Sequence, residues 1–122
     1  MSIASAKILV VDDDPAIRNL ILRFLRQKKY EVESAEDGQT ALKKFEQFNP
    51  DLVILDVNLP DGVGLDFISI AHKLQPNLKI CVISAYDSGG EPERALHLGA
   101  SNFLKKPFSK QEIIETVAQI QD

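Results

Sequence analysis

Two runs of four apolar residues with no polar interruption, Ile8-Leu9-Val10-Val11 and Leu52-Val53-Ile54-Leu55, restrict the fold more than any other feature of the chain. A strand with one wet face alternates apolar and polar residues, whereas a strand without alternation is buried on both faces. Such a sheet must be covered on both sides, and the intervening segments supply helices to cover it. After the first run the period changes from 2 to 3.6. Ile17, Leu20, Ile21, Phe24 and Leu25 recur at helical spacing, behind Pro15 in the first turn and Asp14 as a cap.

The alternation continues to the end. Glu31 to Ala35 reads as a shorter, more polar strand suited to a sheet edge. Gly38 to Phe48 reads as a helix with Ala41, Leu42, Phe45 and Phe48 inward, stopped by Asn49-Pro50. Gly64 to Leu74 predicts a third helix with Leu65, Ile68, Ala71 and Leu74 inward. Lys79 to Ser84 predicts a fourth strand, Pro92 to Leu98 a helix ended by Gly99, and Asn102 to Lys105 a fifth strand. Ser109 and Glu112 have the spacing of a capping box for a last helix carrying Ile113, Ile114 and Val117. Five strand–helix units in 122 residues predict an α/β, doubly wound (βα)5 three-layer fold around a parallel sheet. The chain, residues 1–122, is the size of one domain, with its core over about 7–119.

Charge and cysteine content then remove whole classes of function. A net charge of −4 argues against holding nucleic acid by phosphate neutralisation. The single cysteine, Cys81, excludes an intrachain disulfide and a cysteine-based zinc cluster, and within an apolar strand it reads as inert core. The early apolar run meets three aspartates at once, which suits neither a signal-peptide core nor a membrane span. The expectation is a cytoplasmic protein with no membrane association.

In doubly wound sheets functional groups gather beyond the carboxyl ends of the strands. Here those ends read Asp12-Asp13-Asp14, Asp56, Ser84-Ala85 and Lys105-Lys106-Pro107. One aspartate after a strand is ordinarily a helix cap. Acid, acid, hydroxyl and amine from four strands at one rim form a different kind of object. Carboxylates that close together repel unless they are neutralised, and a hard divalent cation with oxygen ligands does this, Mg2+ first, with Mn2+ as a substitute. The amine can pair with a carboxylate or with phosphoryl oxygens, Ser84 can donate to another such oxygen, and Ala85 leaves room. Phosphoryl transfer needs mainly positioning and charge neutralisation, and an aspartate can serve as nucleophile by forming an acyl phosphate.

With those residues in place, the sequence resembles the receiver domain of two-component response regulators, of the chemotaxis-regulator type. The likeness is carried by Ile8 to Pro15, Asp51 to Pro60, Val82-Ile83-Ser84-Ala85 and Leu104-Lys105-Lys106-Pro107-Phe108, in register from Lys7 to about Gln119. It implies the flavodoxin-like strand order 2-1-3-4-5. It also implies that Asp56 accepts a phosphoryl group from a phosphohistidine on a sensor kinase or phosphotransfer protein. Asp13, Asp56 and the backbone carbonyl of Asn58 would hold the metal, with Asp12 acting through water. Lys106 matches the family's lysine, Ser84 its switch hydroxyl and Phe103 its switch aromatic, and the Lys106–Pro107 bond would be cis. The resulting change at the face of the fourth helix, fifth strand and fifth helix would alter partner binding.

The likeness carries further expectations. The only chemistry expected is self-phosphorylation and self-dephosphorylation, with no external metabolic substrate. Asn58 and Tyr86, two positions beyond Asp56 and Ser84, flank the approach of hydrolytic water, and the tyrosine ring predicts a phosphoryl lifetime of minutes or longer. Val63 stands where the family often has aspartate, and Gly89-Gly90 predict a pliable entry to the fourth helix. The first helix is basic through Arg18, Arg23, Arg26, Lys28 and Lys29, as a solvated face or a docking face for the phosphodonor. His72 and His97 read as surface residues. Dimerising receivers of the winged-helix class carry acids after the Gly-Ala before the fifth strand and arginines on the last helix. Here Ser101-Asn102 follow Gly99-Ala100, and the last helix holds no arginine. A mainly monomeric domain addressing an effector protein or attached effector domain is expected. The competing reading is a phosphohydrolase of the haloacid dehalogenase type, with Asp12-x-Asp14 as its motif and Asp12 as nucleophile. That chemistry calls for a cap or longer loops. A flavin carrier shares the fold class, but three aspartates after the first strand would repel the flavin phosphate.

Overall fold

The structure is a computed structural model that describes residues 6–61, 64–85 and 91–121. Its elements run β1 Lys7–Val11, α1 Pro15–Gln27, β2 Glu31–Ala35, α2 Gly38–Phe48, β3 Leu52–Asp56, α3 Gly64–Leu74, β4 Lys79–Ser84, α4 Glu91–Leu98, β5 Asn102–Lys105 and α5 Lys110–Gln121. The five strands form one parallel sheet in the order β2-β1-β3-β4-β5. The order 2-1-3-4-5 and the doubly wound fold are therefore as expected.

Alternate residues of each buried strand serve opposite layers. Ile8, Val10, Leu52, Ile54, Cys81 and Ile83 face α1 and α5, packing on Ile21, Leu25, Ile113 and Val117. Leu9, Val11, Val53, Leu55, Ile80 and Val82 face α2, α3 and α4, packing on Phe45, Phe67, Ile68 and Ala95. This two-sided burial is what the uninterrupted apolar runs require. Burial also pushes the Cys81 thiol up to about 12, so the thiol stays protonated in the core.

The caps fall where the side chains place them. Asp14 Oδ1 accepts the Ala16 N–H at 2.9 Å at the start of α1. Ser109 and Glu112 exchange two hydrogen bonds at the start of α5, of 2.8 and 3.1 Å. Asn49 ends α2 in the left-handed region, φ 56°, with its N–H on the Phe45 carbonyl. β2 pairs only with β1 and forms one edge of the sheet, with Glu31 and Glu33 exposed.

Two inward assignments and one surface assignment need correction. Leu74, expected inward, is 63% exposed, and Phe67 fills the α3 interface instead. Leu20 of α1 is 38% exposed while Leu22 is buried. His72, expected at the surface, is half-buried, and a Cβ at Gly99 would sit 2.7 Å from its ring. Gly99 also has φ 120°, so two independent constraints demand glycine there. Val63, Tyr86 and Gly89-Gly90 lie outside the described residues.

Candidate functional site

β1 delivers Asp12 immediately past Val11, and the Asp12 N–H extends the ladder to the Ala35 carbonyl at 3.1 Å. Asp12 is fully buried. Its Oδ1 accepts the Asp14 N–H at 2.9 Å, whereas Oδ2 has no hydrogen-bond partner of its own and faces the Lys106 ammonium at 2.9 Å as an ion pair. β3 ends on Asp56, which is 4% exposed. Asp56 Oδ1 accepts the Asn58 N–H at 2.8 Å, and Oδ2 accepts from Lys106 Nζ at 2.9 Å. Asp13 is exposed, yet one carboxylate oxygen from each of Asp12, Asp13 and Asp56 lies within 4.8 Å of the others.

Burial raises the Asp12 carboxyl above its ordinary value; the Asp14 N–H and Lys106 pull it down and the Asp56 charge pushes it up. Burial alone would lower the Lys106 ammonium, but Asp56 and Asp12 outweigh it and hold it above the usual lysine value. The donor set is all carboxylate oxygen, one oxygen from each of three acids gathered within 4.8 Å. That set fits a hard divalent cation such as Mg2+.

Ser84 ends β4, fully buried. Its Oγ accepts the Asn58 Nδ2–H at 2.7 Å, and its carbonyl accepts the Lys106 N–H at 2.9 Å. Lys105 pairs with Ser84 in register and is exposed, while Lys106 turns to the acids. The Lys106–Pro107 bond is cis. Phe103 is half-buried in β5 and packs on the α2–α4 side of the sheet. Tyr86 lies outside the described residues.

Two contacts at the site went unread in the sequence. Arg18, grouped with the other α1 cations, is half-buried and donates through Nη1 to the Asp12 carbonyl at 2.8 Å. The Asn58–Ser84 bond had no sequence signal, because it depends on the path of the loop after β3. Arg23, Arg26, Lys28 and Lys29 are exposed, as a solvated face requires. A recess of about 380 Å³ beside Lys106 is lined by Ile17, Leu20, Ala85, Pro107 and Phe108. Among the described residues no helix is long and apolar enough to cross a membrane.

The ammonium between two carboxylates suggests a direct test. Lys106→Ala leaves Asp12 and Asp56 facing each other without a cation, and should destabilise the metal-free protein by about 2–3 kcal/mol, somewhat less than for a fully enclosed pair. Millimolar Mg2+ should recover much of that loss, by mass action on the folded state. Urea unfolding with and without Mg2+ measures both. An Mg2+ effect equal in variant and wild type would show that Lys106 does not offset these charges.

Comparison with known proteins follows the same lines. The family model described as "Response regulator receiver domain" matches residues 8–118. The chain is 31% identical over 115 residues to the chemotaxis protein CheY of Thermotoga maritima, covering 93% of this chain and 96% of that protein. It is 38% identical over 114 residues to the alkaline phosphatase synthesis transcriptional regulatory protein PhoP of Bacillus subtilis, covering 93% of this chain and 48% of that protein. The crystal structure of a CheY-like response regulator receiver domain protein from Methanospirillum hungatei superposes with a TM-score of 0.90 at 32% identity, covering 94% of this chain and 92% of that one. The chain spans about half the length of the transcriptional regulators it matches and nearly all of CheY. The phosphohydrolase alternative finds no support in these likenesses.

Proposed function

Since the chain belongs to the response regulator receiver domain family, we propose that it is the phospho-receiver of a two-component or phosphorelay system, with Asp56 as acceptor. The observation that carries this reading is the convergence of Asp12, Asp13, Asp56 and Lys106 at one end of the sheet. An Asp56 carboxylate oxygen attacks the phosphorus of a phosphohistidine. The bond from phosphorus to the donor imidazole nitrogen breaks, and the electron pair leaves with that nitrogen.

The chain's own groups prepare this step. The Asn58 N–H and the Lys106 ammonium each engage one Asp56 oxygen and so fix the carboxylate plane. Lys106 offers positive charge where the phosphoryl oxygens arrive. Ser84 supplies a hydroxyl at the neighbouring strand end. Asp13, Asp56 and the Asn58 carbonyl would hold Mg2+, with Asp12 acting through water; bound there, the ion would neutralise charge on the acids and the phosphoryl group. Arg18 holds the main chain from which Asp13 projects.

The recess between Ile17 and Phe108 borders Lys106 and fits a phosphodonor helix docking near α1. The output would run through Ser84 and Phe103 to α4, β5 and α5. On α5, Gln111, Glu112, Glu115 and Gln119 are exposed and Lys110 is its cation. That acidic face favours a monomer that addresses an effector protein or attached domain. The test is acetyl phosphate with Mg2+, followed by borohydride trapping of the acyl phosphate. The label is expected on Asp56, and a label on Asp12 in its place would overturn the reading.

A further inference from the structure

Asn58 closes a ring of hydrogen bonds beside the acid cluster. Its main-chain N–H donates to Asp56 Oδ1 at 2.8 Å, and its side-chain Nδ2 donates to Ser84 Oγ at 2.7 Å. The Ser84 carbonyl accepts the Lys106 N–H at 2.9 Å, and Lys106 Nζ returns to Asp56 Oδ2 at 2.9 Å. Three of these residues stand at or beside the ends of β3, β4 and β5. Asn58 contributes an exposed loop side chain to an otherwise buried or half-buried circuit.

We propose that the Asn58 amide is a latch that holds the Ser84 hydroxyl in its resting arrangement and so sets the ratio of resting to activated protein. The inference rests on Asp56 being the phosphoacceptor, and it adds a side chain that opposes the switch. Ser84 is fully buried, so its hydroxyl cannot exchange the amide for bulk water. It leaves Asn58 only for a new partner inside the site. Phosphorylated Asp56 supplies such partners as phosphoryl oxygens, one position from Ser84 in the sheet register, since Asp56 pairs with Ile83. Moving Oγ toward them draws it away from the amide N–H that it accepts at 2.7 Å. The latch is worth one neutral hydrogen bond, which converts to a bias of about two- to ten-fold in the equilibrium.

Asn58→Ala removes this link alone, because the main-chain N–H to Asp56 and the main-chain carbonyl remain. Beryllofluoride with Mg2+, a stand-in for the phosphoryl group, is titrated into wild type, Asn58→Ala, Ser84→Ala and the double variant. Asn58→Ala should bind beryllofluoride about two- to ten-fold more tightly, and the same change in the Ser84→Ala background should have no effect. Unchanged or weaker binding by Asn58→Ala, or a gain that persists without Ser84, would overturn the latch. Urea unfolding of the four proteins without beryllofluoride provides a second reading: positions 58 and 84 should be coupled, and strict additivity would likewise overturn it. A wild-type protein that binds no beryllofluoride would instead sink the receiver reading, and the unfolding cycle would still decide whether Asn58 holds Ser84.

Discussion

Asp56→Asn is expected to reduce covalent labelling by acetyl phosphate to background while the protein stays folded. An amide oxygen is a poor nucleophile toward phosphorus, and no other carboxylate in the site matches the place of Asp56. Asp12 is fully buried, with Oδ1 tied to the Asp14 N–H and Oδ2 against Lys106. Asp13 stands exposed at the outer side of the cluster. The substitution also changes the electrostatics in a readable direction. The Asp56 charge is one of the influences that raise the Asp12 carboxyl, so removing it lowers Asp12 and relieves repulsion within the cluster. Thermal stability without metal should therefore hold, while Mg2+ affinity falls with the loss of one of the two acids that would hold the ion directly. Mass spectrometry after acetyl phosphate treatment reads the first effect and metal titration the second. Labelling at the wild-type rate would show that the acceptor lies elsewhere.

Gly64→Ala should be the most damaging glycine-to-alanine change among the described residues. Gly64 opens α3, and a Cβ there would lie 2.3 Å from the Val57 carbonyl oxygen, 2.6 Å from its Cα and 2.7 Å from its carbonyl carbon. These are backbone atoms, which cannot swing aside as the tip of a side chain can. Either α3 lifts from the sheet, taking Phe67 and Ile68 with it, or the segment after β3 shifts. Overpacking of this kind costs about 3 kcal/mol, a fall of roughly 10 °C in Tm for a domain of this size. Val57 lies between Asp56 and Asn58, so the shift also displaces Asp56 and the Asn58 main chain, whose N–H holds the Asp56 carboxylate. Loss of stability and loss of beryllofluoride binding should therefore appear together. A variant with wild-type Tm and wild-type binding would contradict the close approach.

The sequence was most legible where burial is two-sided. Ile8 to Val11 and Leu52 to Leu55 left no alternative to a sheet covered on both faces, and the change of period located the start of each helix to within one residue. Strand order is different: nothing local in β1 tells it to lie between β2 and β3, and that order came from the family likeness. The inward stripes failed at Leu20, in the middle of α1, and at Leu74. Leu74 lies on the predicted stripe, but in the last turn of α3, where it remains exposed. Phe67 was passed over because a stripe chosen by spacing alone does not weigh side-chain volume. Around the site, the acids, Ser84 and a lysine could be picked out because a strand's end fixes where its next residue emerges, while the choice of Lys106 over Lys105 came from the family likeness. Arg18 and the Asn58–Ser84 bond depend on how a helix turn and a loop fold back over those ends, which no residue spacing encodes.

The open edge at β2 bears on solubility. An unpaired parallel strand offers its N–H and C=O groups to any extended chain, and two copies could join through such edges into one continuous sheet. Here Glu31 and Glu33 stand exposed along that strand, with Glu33 loosely paired to Lys44 at 3.5 Å. A second copy aligned on the edge would bring carboxylates against carboxylates with little positive charge to offset them. Like charge along the strand that contributes least to the chemistry would thus disfavour edge-to-edge pairing of two copies.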